Sequence, residues 1–284
     1  MHGLRMQVAR RQRLSSSEAR LTLFLDGRTF DLTEDSRQVD GIGGVAWDGS
    51  FLMALTLQRL VDSSPTASSL HVLELGCGLG VCGISIASRV AAVTLTDQSV
   101  DLATANSQST HDAANVVAMP LSWGQGQEGG LLRRRDAGPP DIVVGCEVAC
   151  LRSQQRKLVD TIRHLAVSRT VVLLSFDELP PPNRCSAERD MDALMVGAGF
   201  TGACISVARV SWSATEAGIS TAKMEAVAFE AELCLGWDES ACSSGSGLTP
   251  NSESEGMHHI VAYFKKEAAV ICARCGRPTL DLFR

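Results

Sequence analysis

Val72-Leu-Glu-Leu-Gly-Cys-Gly-Leu-Gly-Val-Cys-Gly83 decides the fold class of this chain. The apolar run Val72 to Leu75 reads as a buried strand. Glycines follow at 76, 78, 80 and 83, and Val81 to Val90 reads as a helix. Glycine lacks a Cβ, so the backbone can turn tightly there and come close to a ligand. The helix that follows aims its first N–H groups at the same crevice. In open α/β sheets this crevice, at the carboxyl ends of the strands, is where ligands bind.

Two nucleotide families use such a turn. Gly78 to Gly83 spells GxGxxG, by itself a weak dinucleotide signal. Asp97, ending the next strand, suits ribose hydroxyls in either family, with capping of the following helix as its plainer alternative. Glu74 separates the families. A carboxylate two residues before the first glycine repels a pyrophosphate and favours the cationic methionine end of S-adenosyl-L-methionine.

The pattern continues on both sides. Arg20 to Leu32 alternates around Asp26-Gly27 and predicts a β-hairpin. Gly41, Gly43 and Gly44 lead into Trp47 and an apolar helix over Phe51 to Leu60. Beyond the glycine turn come strands over Val93 to Thr96, Val116 to Trp123, Asp141 to Val148 and Thr170 to Phe176. Helices over Ser99 to Thr110, Ser153 to Val167 and Asn183 to Gly199 alternate with them. Such alternation predicts an α/β fold, a parallel sheet with helices on both faces. Strands are expected at Cys204 to Ser213 and His259 to Lys265, and a helical segment around 222–235. The stretch 124–140, with Arg133-Arg134-Arg135, reads as a loop whose basic run is either solvated or a docking element.

Composition narrows the function. The chain has 284 residues, 45% hydrophobic and 20% charged, which fits an ordinary globular domain. A net charge of -6 gives no strong nucleic-acid signal, and no apolar run suggests a membrane span. The ten cysteines form no disulfide framework. Cys272-Ala-Arg-Cys275 is half of a zinc site, which Cys234, Cys242, His258 and His259 could complete, but the reading is no metal. Arg5, Arg10, Arg11, Arg13 and Arg20 face one early acid, Glu18. That composition is shared by a disordered basic arm and an organellar transit peptide, so the reading is cytoplasmic with organellar import as alternative.

On these residues the sequence resembles the class I, seven-β-strand S-adenosylmethionine-dependent methyltransferases. More narrowly, it resembles the methyltransferase-like protein-lysine methyltransferases. The resemblance covers about residues 20 to 215. Gly43-Gly44-Val-Ala-Trp47-Asp48 is similar to the family's GG-x-x-W-D, and Glu74 to Gly80 to its first motif. Thr96-Asp97-Gln98 resembles its ribose-binding segment, and Leu121-Ser122-Trp123-Gly124 its L-D-W-G, with Ser122 for the acid. Asp141-Ile-Val-Val-Gly-Cys-Glu147-Val-Ala-Cys150 is similar to its D-x-V-x-G-A-D-x-x-Y, with Cys150 in place of the aromatic.

The resemblance implies a Rossmann-like seven-stranded sheet with an N-terminal hairpin, and S-adenosyl-L-methionine as cofactor. Trp47, Glu74, Gly76, Gly78, Gly80, Asp97, Gln98, Trp123 and Cys146 would hold the cofactor. Glu147 would be catalytic, orienting the incoming ammonium, with Phe176-Asp177-Glu178 helping to form the acceptor pocket; a structural ion pair is the alternative for Glu147. The expected activity is in-line methylation of a lysine side chain of a protein substrate by a monomer. Cys150 keeps two alternatives open: a small molecule or other protein nitrogen as acceptor, or a catalytically degenerate interaction module. The expected division is a disordered basic arm over 1–19 and a methyltransferase domain over 20–235. A polar linker over 236–257, a last strand over 258–267 and a CxxC tail over 268–284 complete it.

Overall fold

The computed structural model describes residues 5–38, 42–110, 113–126, 138–150, 152–178, 186–216, 218–229, 255–265, 270–271 and 278–279. Three strands open the chain: β1 (Arg5–Arg13), β2 (Glu18–Leu25) and β3 (Arg28–Asp35). The hairpin forms as the alternation predicts. Leu21, Leu23 and Leu25 are buried on one face of β2, and Asp26 and Gly27 both take positive φ, 48° and 74°. A two-residue loop between twisted strands requires that geometry.

The basic arm is a correction. Arg5–Arg13 is not an arm but a sheet strand, hydrogen-bonded to β2 along one edge. Val8 and Ala9 are buried, and a specific pairing fixes the strand. Arg11 donates to both oxygens of Glu34, at 2.6 and 2.9 Å, and to Ala46 O at 3.1 Å. Its guanidinium also lies 4.4 Å from the centroid of the Trp212 ring. Glu34 is only 2% exposed and accepts the Ala46 N–H as well. Arg11 therefore joins the strand to the segment that leads into α1 (Asp48–Ser63).

The central layer follows. It comprises β4 (His71–Leu75), α2 (Val81–Ile86), β5 (Ala92–Asp97), α3 (Asp101–Ser109), β6 (Val116–Pro120), β7 (Ile142–Cys146), α4 (Arg152–Leu165), β8 (Val171–Glu178) and α5 (Ser186–Gly197). Then come β9 (Phe200–Glu216), β10 (Ile219–Phe229) and β11 (Glu255–Lys265). Strands β4 to β8 pair in parallel, and β11 enters antiparallel between β8 and β9. The stretch β6-β5-β4-β7-β8-β11-β9 is the expected seven-stranded layer, and β10, β1, β2 and β3 extend it into one eleven-stranded sheet. A separate ladder joins β12 (Val270–Ile271) to β13 (Pro278–Thr279).

β10 is a second correction, because its residues fall where a helical segment was expected. Lys223, Met224, Glu225 and Ala226 favour helices intrinsically. Ala222 and Met224 are buried while Lys223 between them is exposed, so the burial has period two. With β9 on one side and β1 on the other, pairing overrides propensity. The expected 236–257 linker lies outside the described residues up to 254, and Glu255 already belongs to β11. Cys272 and Cys275 also lie outside them.

Helices cover both faces. Phe51, Met53 and Leu57 of α1 pack with α2, α3 and the hairpin on one side, over Val72 and Val144. Leu158 and Ile162 of α4 and Met191 and Met195 of α5 pack over Leu73, Val143 and Tyr263 on the other. Strand order reverses between β4 and β7, so the chain leaves this point in opposite directions and opens a crevice at their carboxyl ends. Among the described residues, no helix is long and apolar enough to cross a membrane.

The Arg11 contacts give a direct test. Arg11→Ala strips the charge partner from nearly buried Glu34 and should cost about 2–3 kcal/mol, after allowance for the partial exposure of Arg11. Arg10→Ala, at an exposed position of the same strand, should change stability by less than about 0.5 kcal/mol. Urea unfolding of the two variants measures both; equal, negligible effects would mean that β1 does not hold the sheet.

Candidate active site

The glycine turn is built from left-handed residues. Gly76, Gly78 and Gly80 have φ of 66°, 51° and 82°, values that L side chains rarely adopt. Space makes the same demand. A Cβ on Gly76 would lie 2.6 Å from Val148 Cγ1 and 3.3 Å from the Trp123 ring, and one on Gly78 would lie 2.8 Å from Gly43 O. The Gly43-Gly44 loop therefore packs directly on the turn, and Trp123 and Val148 stand over its entrance. Trp47, next along the chain, donates its indole N–H to Ile42 O at 2.9 Å and remains 49% exposed. Its ring is available at the rim rather than spent in the core.

Asp97 reaches the turn from β5. Its Oδ2 accepts the Gly78 N–H at 2.9 Å and its Oδ1 accepts the Gln98 N–H at 2.7 Å. Burial raises its pKa, and these two donors oppose the rise. The side chain thus orders the turn from the end of the strand.

Glu74 does something the sequence did not suggest. It is 2% exposed, and its Oε2 accepts the Gly83 N–H at 2.8 Å. The carboxylate is turned beneath the first turn of α2 rather than open to the crevice. The sequence points this carboxylate toward the cationic end of the cofactor; the structure instead engages it with the Gly83 N–H. Burial pushes the Glu74 carboxyl up to about 7, against the pull of the Gly83 N–H.

Cys146 ends β7 and accepts the Ser175 hydroxyl at 3.1 Å, while Ser175 Oγ accepts the Glu147 N–H at 3.0 Å. Contact with the Cys146 thiol and burial push Cys82 up, and Cys146 is also raised. Both stay thiols, which suits wall residues and not nucleophiles. Glu147 sits at φ 53°, a left-handed conformation that costs a non-glycine residue about 1–2 kcal/mol. Its Oε1 accepts the Gly49 N–H at 2.9 Å and lies 3.1 Å from His258 Nδ1. The first of these caps α1, whose N-cap Trp47 makes no side-chain bond of its own. A Cβ on Gly49 would collide with Glu147 Oε1, so glycine is required there.

A polar cluster surrounds this carboxylate. His258 of β11 is 4% exposed and lies 3.9 Å from Asp177 Oδ1. Asp48 accepts the Trp212 indole N–H at 2.6 Å, and burial raises its carboxyl. Burial alone would lower the His258 imidazole, but Glu147, then Asp177 and Asp48, raise it above its usual value.

The structure thus brings Gly76, Gly78, Gly80, Asp97, Gln98, Trp123, Cys146 and Glu147 to one end of the sheet, with Trp47 at the rim and Glu74 beneath. Cys150, in the aromatic's position, is exposed. Sequence reasoning missed Ser175 and the roles of Asp48 and His258. A lone hydroxyl in Val171-Val-Leu-Leu-Ser175 could have flagged the first. No signal could have joined His258 to a glutamate so far away in the chain. His258 and His259 face opposite ways, as adjacent strand residues do, and the cysteines named with them lie outside the described residues. His258 meets Glu147, and His259 stacks on Phe176 at 5.5 Å. Among the described residues, no cluster of His, Cys, Asp and Glu could hold a metal.

Comparisons with known proteins bear on this site. A family model described as lysine methyltransferase matches residues 25–184. Protein N-lysine methyltransferase METTL21A of Mus musculus is 28% identical over 159 residues, 54% of this chain and 69% of that protein. Its Danio rerio counterpart is 29% identical over 168 residues, 57% and 72% of the two chains. EEF1A lysine methyltransferase 3 of Xenopus tropicalis is 27% identical over 141 residues, 48% and 58%.

The placement of Glu74 predicts a pH effect. Its carboxyl titrates near 4.5 unfolded and near 7 folded, so between these values the folded state holds the extra proton. Stability of the ligand-free protein should therefore fall as pH rises through that window, by about 3 kcal/mol from this group. Glu74→Gln should lack that component. Urea midpoints of both proteins at several pH values provide the comparison, and parallel curves would contradict the buried placement.

Proposed function

The chain belongs to the lysine methyltransferase family, and we propose that its crevice transfers a methyl group from S-adenosyl-L-methionine to a lysine side chain of a protein substrate. The observation that carries this reading is the joined pair of sites: a left-handed glycine turn, where a Cβ at Gly76 or Gly78 would collide with Val148 or Gly43, beside a carboxylate cluster.

The residues fit the cofactor. Gly76 and Gly78 allow close backbone approach, Asp97 stands where ribose hydroxyls would be held, and Gln98 is exposed beside it. Trp123 supplies a flat wall over Gly76 for the adenine, and Trp47 a second aromatic at the rim. Glu74 braces the turn from below through the Gly83 N–H. When bound, the cofactor supplies an electrophilic methyl on a sulfonium, so neither metal nor covalent enzyme intermediate is required.

The chain's own task is alignment. Positioning of reactants can supply about 7–11 kcal/mol in favourable cases. Glu147 draws the lysine ammonium to the end of β7, with Asp177 on the more exposed side of the same cluster. A carboxylate favours the charged amine, so this aids docking, and the proton must be lost before attack. At pH 7.4 the neutral amine costs about 4 kcal/mol relative to its reference pKa near 10.4. Partial burial of the cluster lowers that cost by penalising charge. Exposed Cys150 leaves the entrance open where the family has an aromatic ring.

Two measurements test the reading. Calorimetry should show S-adenosyl-L-methionine binding, and Asp97→Ala should weaken it at least tenfold, about 1.4 kcal/mol. With tritiated methyl donor and a cell lysate, wild-type protein should label a protein band at lysine. Glu147→Gln keeps the acceptor oxygen for Gly49 but removes the charge. It should slow labelling tenfold or more at unchanged cofactor affinity. Label in small molecules only, or wild-type rates from Glu147→Gln, would overturn the assignment.

A further inference from the structure

His258 is a buried imidazole that the methyl-transfer scheme does not use. It is 4% exposed, and neither ring nitrogen has a well-aligned hydrogen-bond partner, although Nδ1 lies 3.1 Å from Glu147 Oε1. Among the described residues, the only ring nitrogen with an acceptor close by is Nδ1, which faces Glu147. The surroundings suit the charged form. Glu147 faces it from the end of β7, Asp177 from β8 and Asp48 from the start of α1. Across β9 its neighbour is uncharged Ala208, and His259 beside it on β11 turns to Phe176. Arg11 lies farther off, paired with Glu34. Three carboxylates thus share one imidazole, and the partner in closest contact is the strained Glu147.

We propose that His258 is a positioning residue for methyl transfer. Its imidazolium pins Oε1 of Glu147 against the first turn of α1 and leaves Oε2 to meet the substrate ammonium. The proposal rests on the lysine-methylation reading and adds a residue to it. Glu147 is held from two sides, by the Gly49 N–H and by His258, and that double hold sustains its left-handed backbone. The imidazolium also cancels one of the three negative charges. The rest of the cluster can then accept a cation without the carboxylates repelling one another apart. Burial of both ring nitrogens argues against direct contact with substrate, so His258 acts through Glu147.

The role predicts a kinetic signature that a merely structural residue would lack. His258→Asn should raise KM for the acceptor labelled in lysate, once purified, by about tenfold or more. It should change kcat less, and leave S-adenosyl-L-methionine affinity within about twofold. The ratio of wild-type to variant kcat/KM should fall toward one as pH rises past the ordinary imidazole range, because neutral histidine loses the hold on Glu147. The ratio cancels the ionisation of the lysine itself. If His258→Asn does not fold, NMR titration of the His258 ring decides. Its pKa in the wild type should lie above that in Glu147→Gln, which has lost one charge partner. A constant kcat/KM ratio, or an unchanged imidazole pKa in Glu147→Gln, overturns the role of His258 while labelling still supports methyl transfer. Absence of any labelled acceptor overturns both.

Discussion

One carboxylate at the end of β7 ties three parts of the molecule together. Glu147 accepts the Gly49 N–H across 98 residues of chain, so it caps α1 from another element. That bond sets the start of the helix beside the carboxyl ends of the strands. The Gly43-Gly44 loop, leading into the helix, is thereby laid on Gly78. Without the bond, α1 would begin with unsatisfied donors, since Trp47 offers no side-chain cap. The same oxygen meets His258, which brings β11 into the arrangement.

The crevice has two halves with opposite electrostatic designs. Around Asp97 and Glu74 the carboxylates are occupied by backbone N–H groups and fix the shape of the turn. Around Glu147 and Asp177 they are paired with an imidazole and only partly satisfied. The first half suits a ligand held by shape and a few ribose contacts, the second a mobile cation. That division matches a reaction in which one partner is bound tightly and the other is a lysine arriving from outside.

The extended sheet explains how the crevice stays in place. A seven-stranded layer would leave β9 as an exposed edge, a liability for pairing with other chains. Here β10, β1 and the hairpin continue beyond it. Arg11, paired with buried Glu34 and stacked on Trp212, carries the connection back to Asp48 at the start of α1. The added strands therefore brace the site from behind.

Local chemistry alone made much of this legible. Positive φ at Gly76, Gly78 and Gly80 is a demand glycine meets at once, and apolar runs between turns fix the parallel strands. Asp26-Gly27 specified the hairpin, because a two-residue loop depends only on its own backbone. What tertiary structure decided involved partners remote in the chain. Arg5–Arg13 looked like an arm because its charges dominate the composition, and only β2 and β10 on either side make it a strand. Ile219–Phe229 carries helix-favouring residues, yet two sheet edges were waiting for it. Glu147 and His258 were each visible as residues. Their contact spans β7 and β11, and no periodicity or motif encodes a distance across strands, because that distance exists only once the sheet has closed around both.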